Sequence, residues 1–258
     1  MAAPDLPVHI SIKSEWLDSV GSTNEVAMQR GQEGSPGPLW IAAREQTGGR
    51  GRSGRSWLSP PGNLYCSLLL TYDRPLTIIA QLALVAGVAV HGAIAQMAPG
   101  ISVSLKWPND VLVSHSKIAG ILIESQTVPG GAQHSVVIGI GINLAHHPAL
   151  PDRQATSLAA LGIQVSPYQV WQRLAVAFEE WLAVWSAGEG FSGIRTAWEQ
   201  RAVGIGSTVS VKSGGDVWTG RFCGLDDDGA MRLQFADGAL RRITFGDVHI
   251  GNSPGARP

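Results

Sequence analysis

The sequence predicts an α+β chain in two parts, a larger region of mixed strands and helices followed by a small all-β unit. Three observations carry this reading. Apolar runs of strand length alternate with long helical stretches through the N-terminal part of the chain. The glycine-rich loop that could have opened a parallel βαβ unit runs straight into Ser59-Pro60-Pro61-Gly62 and another strand. A crossover needs about a dozen residues with a helix inside, so none fits there. Beyond Arg201-Ala202-Val203-Gly204, short alternating strands are separated by Asp228-Gly229 and Asp237-Gly238, both strong hairpin signals. Roughly fifty such residues make a β-barrel of SH3-like size. The expected limits are 1–202 for the larger domain, 203–250 for the barrel and 251–258 for a disordered tail.

Taken in order, Ser22 and Glu25 have capping-box spacing and predict a helix running to about Gln32. Gly34-Ser35-Pro36-Gly37-Pro38 is a turn, and residues 39–43 and 63–72 read as strands. Leu76–Met97 reads as one helix with Thr77 as its N-cap. Ile101, Val103, Leu105 and Trp107 alternate with polar residues, which is a half-buried strand. Pro108-Asn109-Asp110 turns the chain, and Ser114-His115-Ser116 is a hairpin loop leading into the strand at 117–124. Residues 136–143 form another apolar strand, and Ser166-Pro167 starts a helix to about Ser186. There is no internal repeat.

Composition narrows the function. Of 258 residues, 44 % are hydrophobic and only 15 % charged, which excludes a disordered polyampholyte. Nineteen Lys and Arg against twenty Asp and Glu give a net charge of -1, so any polyanion site must be local. Cys66 and Cys223 lie in apolar runs without metal spacing and read as core thiols of a reducing, cytoplasmic compartment. The first seven residues lack the basic start and apolar stretch of a signal peptide. Leu76–Met97 carries no charge and could span a bilayer by length. It is rich in alanine, valine and glycine and lacks aromatic belts, so a buried helix is expected and no membrane.

Two segments carry chemistry. Gly49-Arg50-Gly51-Arg52-Ser53-Gly54-Arg55 imitates both a dinucleotide fingerprint and a P-loop, yet both need a helix next, and both fail. What remains is three arginines among the four glycines Gly48, Gly49, Gly51 and Gly54: close backbone approach plus forked donors suited to phosphate or carboxylate. An Arg/Gly surface loop binding RNA is the alternative. Lys106-Trp107-Pro108-Asn109-Asp110 projects polar groups from a strand end, and Lys117 opens the facing strand. Gly120, Gly139 and Gly141 interrupt β-branched strands, which marks close approach of a ligand or another backbone, or else a bulge or tight packing.

Together these pieces resemble the biotin–protein ligase family. The matching residues are Ser22-Thr23-Asn24, Gln46, the loop from Gly49 to Arg55, Trp57, Lys106-Trp107-Pro108-Asn109-Asp110, the run from Lys117 to Glu124, and Gly139-Ile140-Gly141-Ile142-Asn143. The resemblance implies a mixed sheet like that of class II aminoacyl-tRNA synthetases and biotin–lipoate ligases, followed by an SH3-like domain. It also implies that ATP, with Mg²⁺, activates biotin as biotinyl-5′-AMP. The biotinyl group then passes to a lysine of a biotin carboxyl carrier protein of acetyl-CoA or a related carboxylase.

By the same resemblance, Ser22, Thr23, Asn24, Gln46, Arg50, Gly51, Arg52, Lys117 and Gly120 hold biotin. Arg52, Arg55, Trp57, Asn109, Lys117 and Asn143 hold ATP and the adenylate. Lys117, Arg52 and Arg55 are catalytic, and Asp110 is a metal ligand. Ser53 departs from the pattern by standing where a basic residue or histidine is common, which removes one charge from the loop. The short leader before Ser22 implies a ligase without a DNA-binding domain, as a monomer or homodimer. A lipoate–protein ligase and an RNA-binding adaptor are the competing readings.

Overall fold

A computed structural model describes residues 13–128, 130–149 and 154–250. The expected tail at 251–258 and the leader preceding residue 13 lie outside the described residues. The first sheet is built from β1 (Lys13–Val20), β2 (Leu39–Gln46), β3 (Leu64–Tyr72), β4 (Val103–Lys106), β5 (Asp110–Val113), β6 (Ser116–Thr127) and β7 (His134–Ile142). Their order is β1-β2-β3-β7-β6-β5-β4. β1 pairs with β2 in parallel, across α1 (Thr23–Gln32), and every other pair is antiparallel, so the sheet is mixed. β2 and β3 are antiparallel neighbours, as the missing crossover helix requires.

β1 is absent from the sequence reading. Its eight residues, KSEWLDSV, include no fully buried position, because it is an edge strand with one neighbour. Strand periodicity reports burial, and here there is little to report. The predicted helix at Leu76–Met97 divides into α2 (Leu76–Ile79) and α3 (Leu82–Met97), and Pro75, not Thr77, stands at the N-cap. The stretch is long and apolar enough to cross a membrane, yet most of it is buried inside the protein. α3 is the central core helix: Leu82, Val85, Ala86, Ala89, Val90, Ala93 and Ile94 are fully covered.

α4 (Pro167–Trp185) begins as predicted, with a complete capping box between Ser166 and Gln169. Its Trp171 and Phe178 meet Trp40 of β2 edge-on, at centroid distances of 6.4 and 5.8 Å. α1 starts after Ser22 as predicted, but the Ser22 side chain makes no cap hydrogen bond and Glu25 turns instead to Arg50. α5 (Phe191–Glu199) is a further unpredicted element, nine residues long and opened by Gly190 without a capping side chain.

The second sheet comprises β8 (Thr208–Ser213), β9 (Asp216–Leu225), β10 (Met231–Gln234), β11 (Leu240–Ile243) and β12 (Asp247–Ile250), all antiparallel in the order β11-β10-β9-β8-β12. It is tied to the β4 side of the first sheet. Leu105 exchanges backbone bonds with Arg201 and Val203, both 2.8 Å, and Trp107 Nε1 donates to Gly229 O at 3.1 Å. Glu199 accepts from Leu225 N at 2.6 Å. This docking brings the start of β12 to the loop that follows β2. Cys66 is buried, and burial pushes its thiol pKa up, whereas Cys223 is only half-buried and is no core thiol.

His91 on α3 shows how tightly the core treats charge. One ring nitrogen, Nε2, lies 3.1 Å from Val103 O, while Nδ1 is buried without a partner among the described residues. Burial, then the nearby Arg201 charge, lowers its pKa below the usual 6.5. The unfolded chain therefore binds the proton more readily than the native one. The His91 contribution to stability is complete above pH 6.5 and declines as pH falls toward the lowered native value. Thermal melts of the wild type and His91→Asn should diverge at neutral pH and converge through that acidic interval.

Candidate functional site

A cleft of about 480 Å³ opens where the N-terminus of α1, the loop after β2, the faces of β6 and β7, the β4–β5 turn and β12 converge. Its floor is a row of neutral polar groups. Gln46 Oε1 accepts from Thr23 N at 2.8 Å and from Thr23 Oγ1 at 3.1 Å, and Gln46 Nε2 donates to Ser59 Oγ at 2.9 Å. Ser67 Oγ lies 2.7 Å from Thr23 Oγ1 and 2.6 Å from Asn24 Oδ1. From Gln46 Oε1 through Thr23 and Ser67 to Asn24 Oδ1, three oxygen–oxygen contacts share two hydroxyl protons. With Thr23 N also serving Gln46 Oε1, the row is satisfied from within and uncharged, and the spare lone pairs of its oxygens suit an incoming N–H group.

The Gly/Arg loop folds as a tight hairpin over this floor, with Trp57 N donating to Gly49 O at 2.9 Å and Gly51 N to Arg55 O at 2.7 Å. Its tip is a single 3₁₀ turn, Arg52–Gly54, in which the exposed Ser53 holds a left-handed φ of 56°. The arginines reach to opposite walls. Arg50 pairs with Glu25 at 3.0 Å and Glu124 at 3.1 Å. Arg52 donates to Asn109 Oδ1 and to Gly246 O, each at 3.1 Å, and lies 3.7 Å from Asp247. Arg55 meets the same Asp247 oxygen at 3.0 Å. Burial lowers the Arg52 pKa, opposed by the Asp247 and Asp110 charges, and Arg55 adds to the lowering. Arg52 stays charged at any physiological pH. A partly desolvated, still charged guanidinium is a strong anion donor.

On the opposite wall, Lys117 of β6 donates to Asp110 of β5 through a short ion pair and lies 5.3 Å from the Trp57 ring centroid. The two glycines behind it explain the ring's position. A Cβ on Gly141 would fall 2.6 Å from Trp57 Cε2 and Nε1, and one on Gly120 would fall 3.0 Å from Cζ3. At Gly139 a Cβ would fall 2.2 Å from Asn24 Oδ1. These strand glycines thus admit the protein's own side chains, which is the tight packing among the alternatives the sequence offered. Trp57 Nε1 is buried against the sheet at Gly141 and unpartnered among the described residues. Asn143 is buried, with Nδ2 given to Thr156 O at 3.0 Å.

All fourteen residues singled out from the sequence line this one cleft: Ser22, Thr23, Asn24, Gln46, Arg50, Gly51, Arg52, Arg55, Trp57, Asn109, Asp110, Lys117, Gly120 and Asn143. The sequence reading missed Ser67, Glu124 and the C-terminal Lys212, Asp247 and His249. Asp247 lies 192 residues from Arg55, and no local pattern links the two. Among the described residues no three His, Cys, Asp or Glu side chains form a metal-holding group, and the Asp110 carboxylate is engaged by Lys117.

Comparison with known proteins agrees with this geometry. Residues 16–143 match the Biotin/lipoate A/B protein ligase family and residues 204–251 match the Biotin protein ligase C terminal domain. A biotin--[acetyl-CoA-carboxylase] ligase of Paracoccus denitrificans is 37 % identical over 225 residues, covering 84 % of this chain and 92 % of that protein. The bifunctional ligase/repressor BirA of Bacillus subtilis is 36 % identical over 242 residues, covering 92 % of this chain and 73 % of its own length. Among solved structures, a biotin protein ligase from Aquifex aeolicus in complex with biotin and ATP aligns with a TM-score of 0.76. It is 29 % identical, and the alignment covers 92 % of this chain and 97 % of that one. Gly141→Ala should drive the indole of Trp57 off the sheet at a stability cost of about 1–3 kcal/mol. A fall of several degrees in Tm, with Gly92→Ala as an open-space control, checks this contact.

Proposed function

The chain belongs to the biotin protein ligase family, and from that premise we propose that its cleft joins biotin to a protein lysine using ATP. A biotin carboxylate oxygen attacks the α-phosphorus of ATP, the bond to the bridging oxygen breaks, and pyrophosphate leaves behind biotinyl-5′-AMP. The ε-amine of a carrier lysine then attacks the acyl carbon. The acyl–phosphate bond breaks, AMP departs, and the amine releases its proton as the amide forms. The acceptor is a biotin carboxyl carrier protein, which we read as part of acetyl-CoA carboxylase or a related carboxylase, in the cytoplasm. Residues 1–202 are taken as the catalytic unit and 203–250 as the C-terminal one.

One observation carries this reading: Arg50, Arg52 and Arg55 with Lys106, Lys117 and Lys212 line a single cleft whose floor is neutral and rich in hydrogen-bond acceptors. Two anions that repel each other need that cationic rim before in-line attack, whereas a ureido ring needs only hydrogen bonds. The Thr23, Asn24 and Gln46 row, with Ser22 beside it, receives the ureido N–H groups. Arg50 and Gly51 border the acid's side chain, and Gly120 leaves space beside Lys117. Lys117 exchanges Asp110 for the biotin carboxylate and α-phosphate and stabilises pentacoordinate charge. Arg52 and Arg55 exchange Asp247 for phosphate oxygens. Trp57 and Asn143 border adenine, and Asn109 orients Arg52. Mg²⁺ arrives as the phosphate-bound counter-ion of the nucleotide.

Incubating an apo biotin carrier domain with this protein, biotin and MgATP should add the mass of one biotinyl group. Lys117→Ala should lower that rate about 100- to 1,000-fold, the usual cost of losing a donor to transition-state charge. Arg52→Lys keeps the charge but not the fork, and should reduce kcat/KM for ATP about tenfold. Lipoate in place of biotin is the control: a carrier modified by lipoate alone overturns the assignment.

A further inference from the structure

Asn24 and Arg50 each face two depressions, the cleft and a shallow polar groove on its outer side. Glu124 of β6 borders only the outer groove, so it does not meet a substrate lying in the cleft. Its carboxylate nevertheless holds both partition residues. Oε2 accepts from Asn24 Nδ2 at 2.7 Å, and the two oxygens face Arg50 Nη2 at 3.1 and 3.3 Å. The other guanidinium nitrogen, Nη1, reaches Glu25 Oε1 at 3.0 Å. Asn24 is pinned from the far side, because its Oδ1 occupies the space a Cβ on Gly139 would need.

We infer that Glu124 is a positioning residue that ties the floor of the acid-binding subsite to the first arginine of the loop. Beside Glu25 it forms a two-carboxylate latch that holds the loop down. This rests on the functional reading of the cleft and adds to it a residue outside the cleft that positions its floor and its loop together. Arg50 is 41 % exposed, so each of its ion pairs is weak alone. Glu124 makes them matter by sharing one carboxylate between the loop and a buried, fully oriented amide. The loop that shields the water-sensitive adenylate is thereby held from the side that the substrate does not touch.

The glutamine variant separates the two duties, since its carbonyl still accepts from Asn24 but carries no charge for Arg50. In the ligand-free protein, Glu124→Gln and Glu25→Gln should each speed tryptic cleavage after Arg50, Arg52 and Arg55 about two- to fivefold, the range of an exposed ion pair. Glu124→Gln should leave the KM for biotin within about twofold and hasten loss of biotinyl-adenylate to solvent. Glu124→Ala removes the charge-assisted bond to Asn24 as well and should raise that KM about tenfold. Unchanged cleavage in both glutamine variants overturns the latch. An equal rise in KM for Glu124→Gln and Glu124→Ala overturns the division of duties. Adenylate made from lipoate but not from biotin would overturn the functional reading alone, because the cleavage comparison needs no substrate and still decides the latch.

Discussion

The site depends on holding concentrated positive charge in a chain that has little charge to spend. Arg50, Arg52 and Arg55 lie within six residues of one another and would repel if left to themselves. The fold offsets this with carboxylates on two walls: Glu25 and Glu124 draw Arg50 to one side, and Asp247 is shared by Arg52 and Arg55 on the other. Lys117 is held likewise by Asp110. These carboxylates stand where anionic substrates will compete, so the cationic groups are oriented before a ligand arrives. Their rearrangement is then an exchange of partners instead of an ordering from solution, which keeps the entropic cost of binding low.

Around that charge, the sheet works by omission. Gly120, Gly139 and Gly141 lie on adjacent strands β6 and β7, and Gly120 and Gly141 are direct cross-strand partners. Removing Cβ atoms from a patch of sheet makes a shallow depression into which Trp57 and Asn24 settle. A loop residue and a helix residue thereby become fixed against a rigid surface, and rigid support is what keeps functional groups aligned. The same logic places the second sheet. Backbone bonds at Leu105 and the Trp107 indole seat it against β4, and only then can Asp247 at the head of β12 meet the loop arginines.

Much of this was legible in the amino-acid string because it is written locally. Ser166-Pro167 with Gln169 spells a helix start through capping chemistry, and Asp228-Gly229 lies in a turn that needs the glycine's positive φ of 91°. The prolines after Trp57 forbid a crossover helix wherever the chain goes. Local rules also misled where a competing partner was available: Glu25 abandons its capping box because Arg50 offers a full charge. β1 and α5 went unread because an exposed edge strand and a short uncapped helix leave almost no periodic trace.

The sequence by itself therefore determined the α+β class and most of the elements, because residue type, spacing and turn chemistry act over a few residues, while the fourteen site residues were named through the family resemblance of its motifs and all lie in the cleft lining. Tertiary structure alone decided which arginine faces which carboxylate, that the strand glycines seat Trp57 and Asn24, and that Glu124 and Asp247 belong to the site. Those relations join residues as far apart as Arg55 and Asp247, and burial and charge act through space, where separation along the chain carries no information.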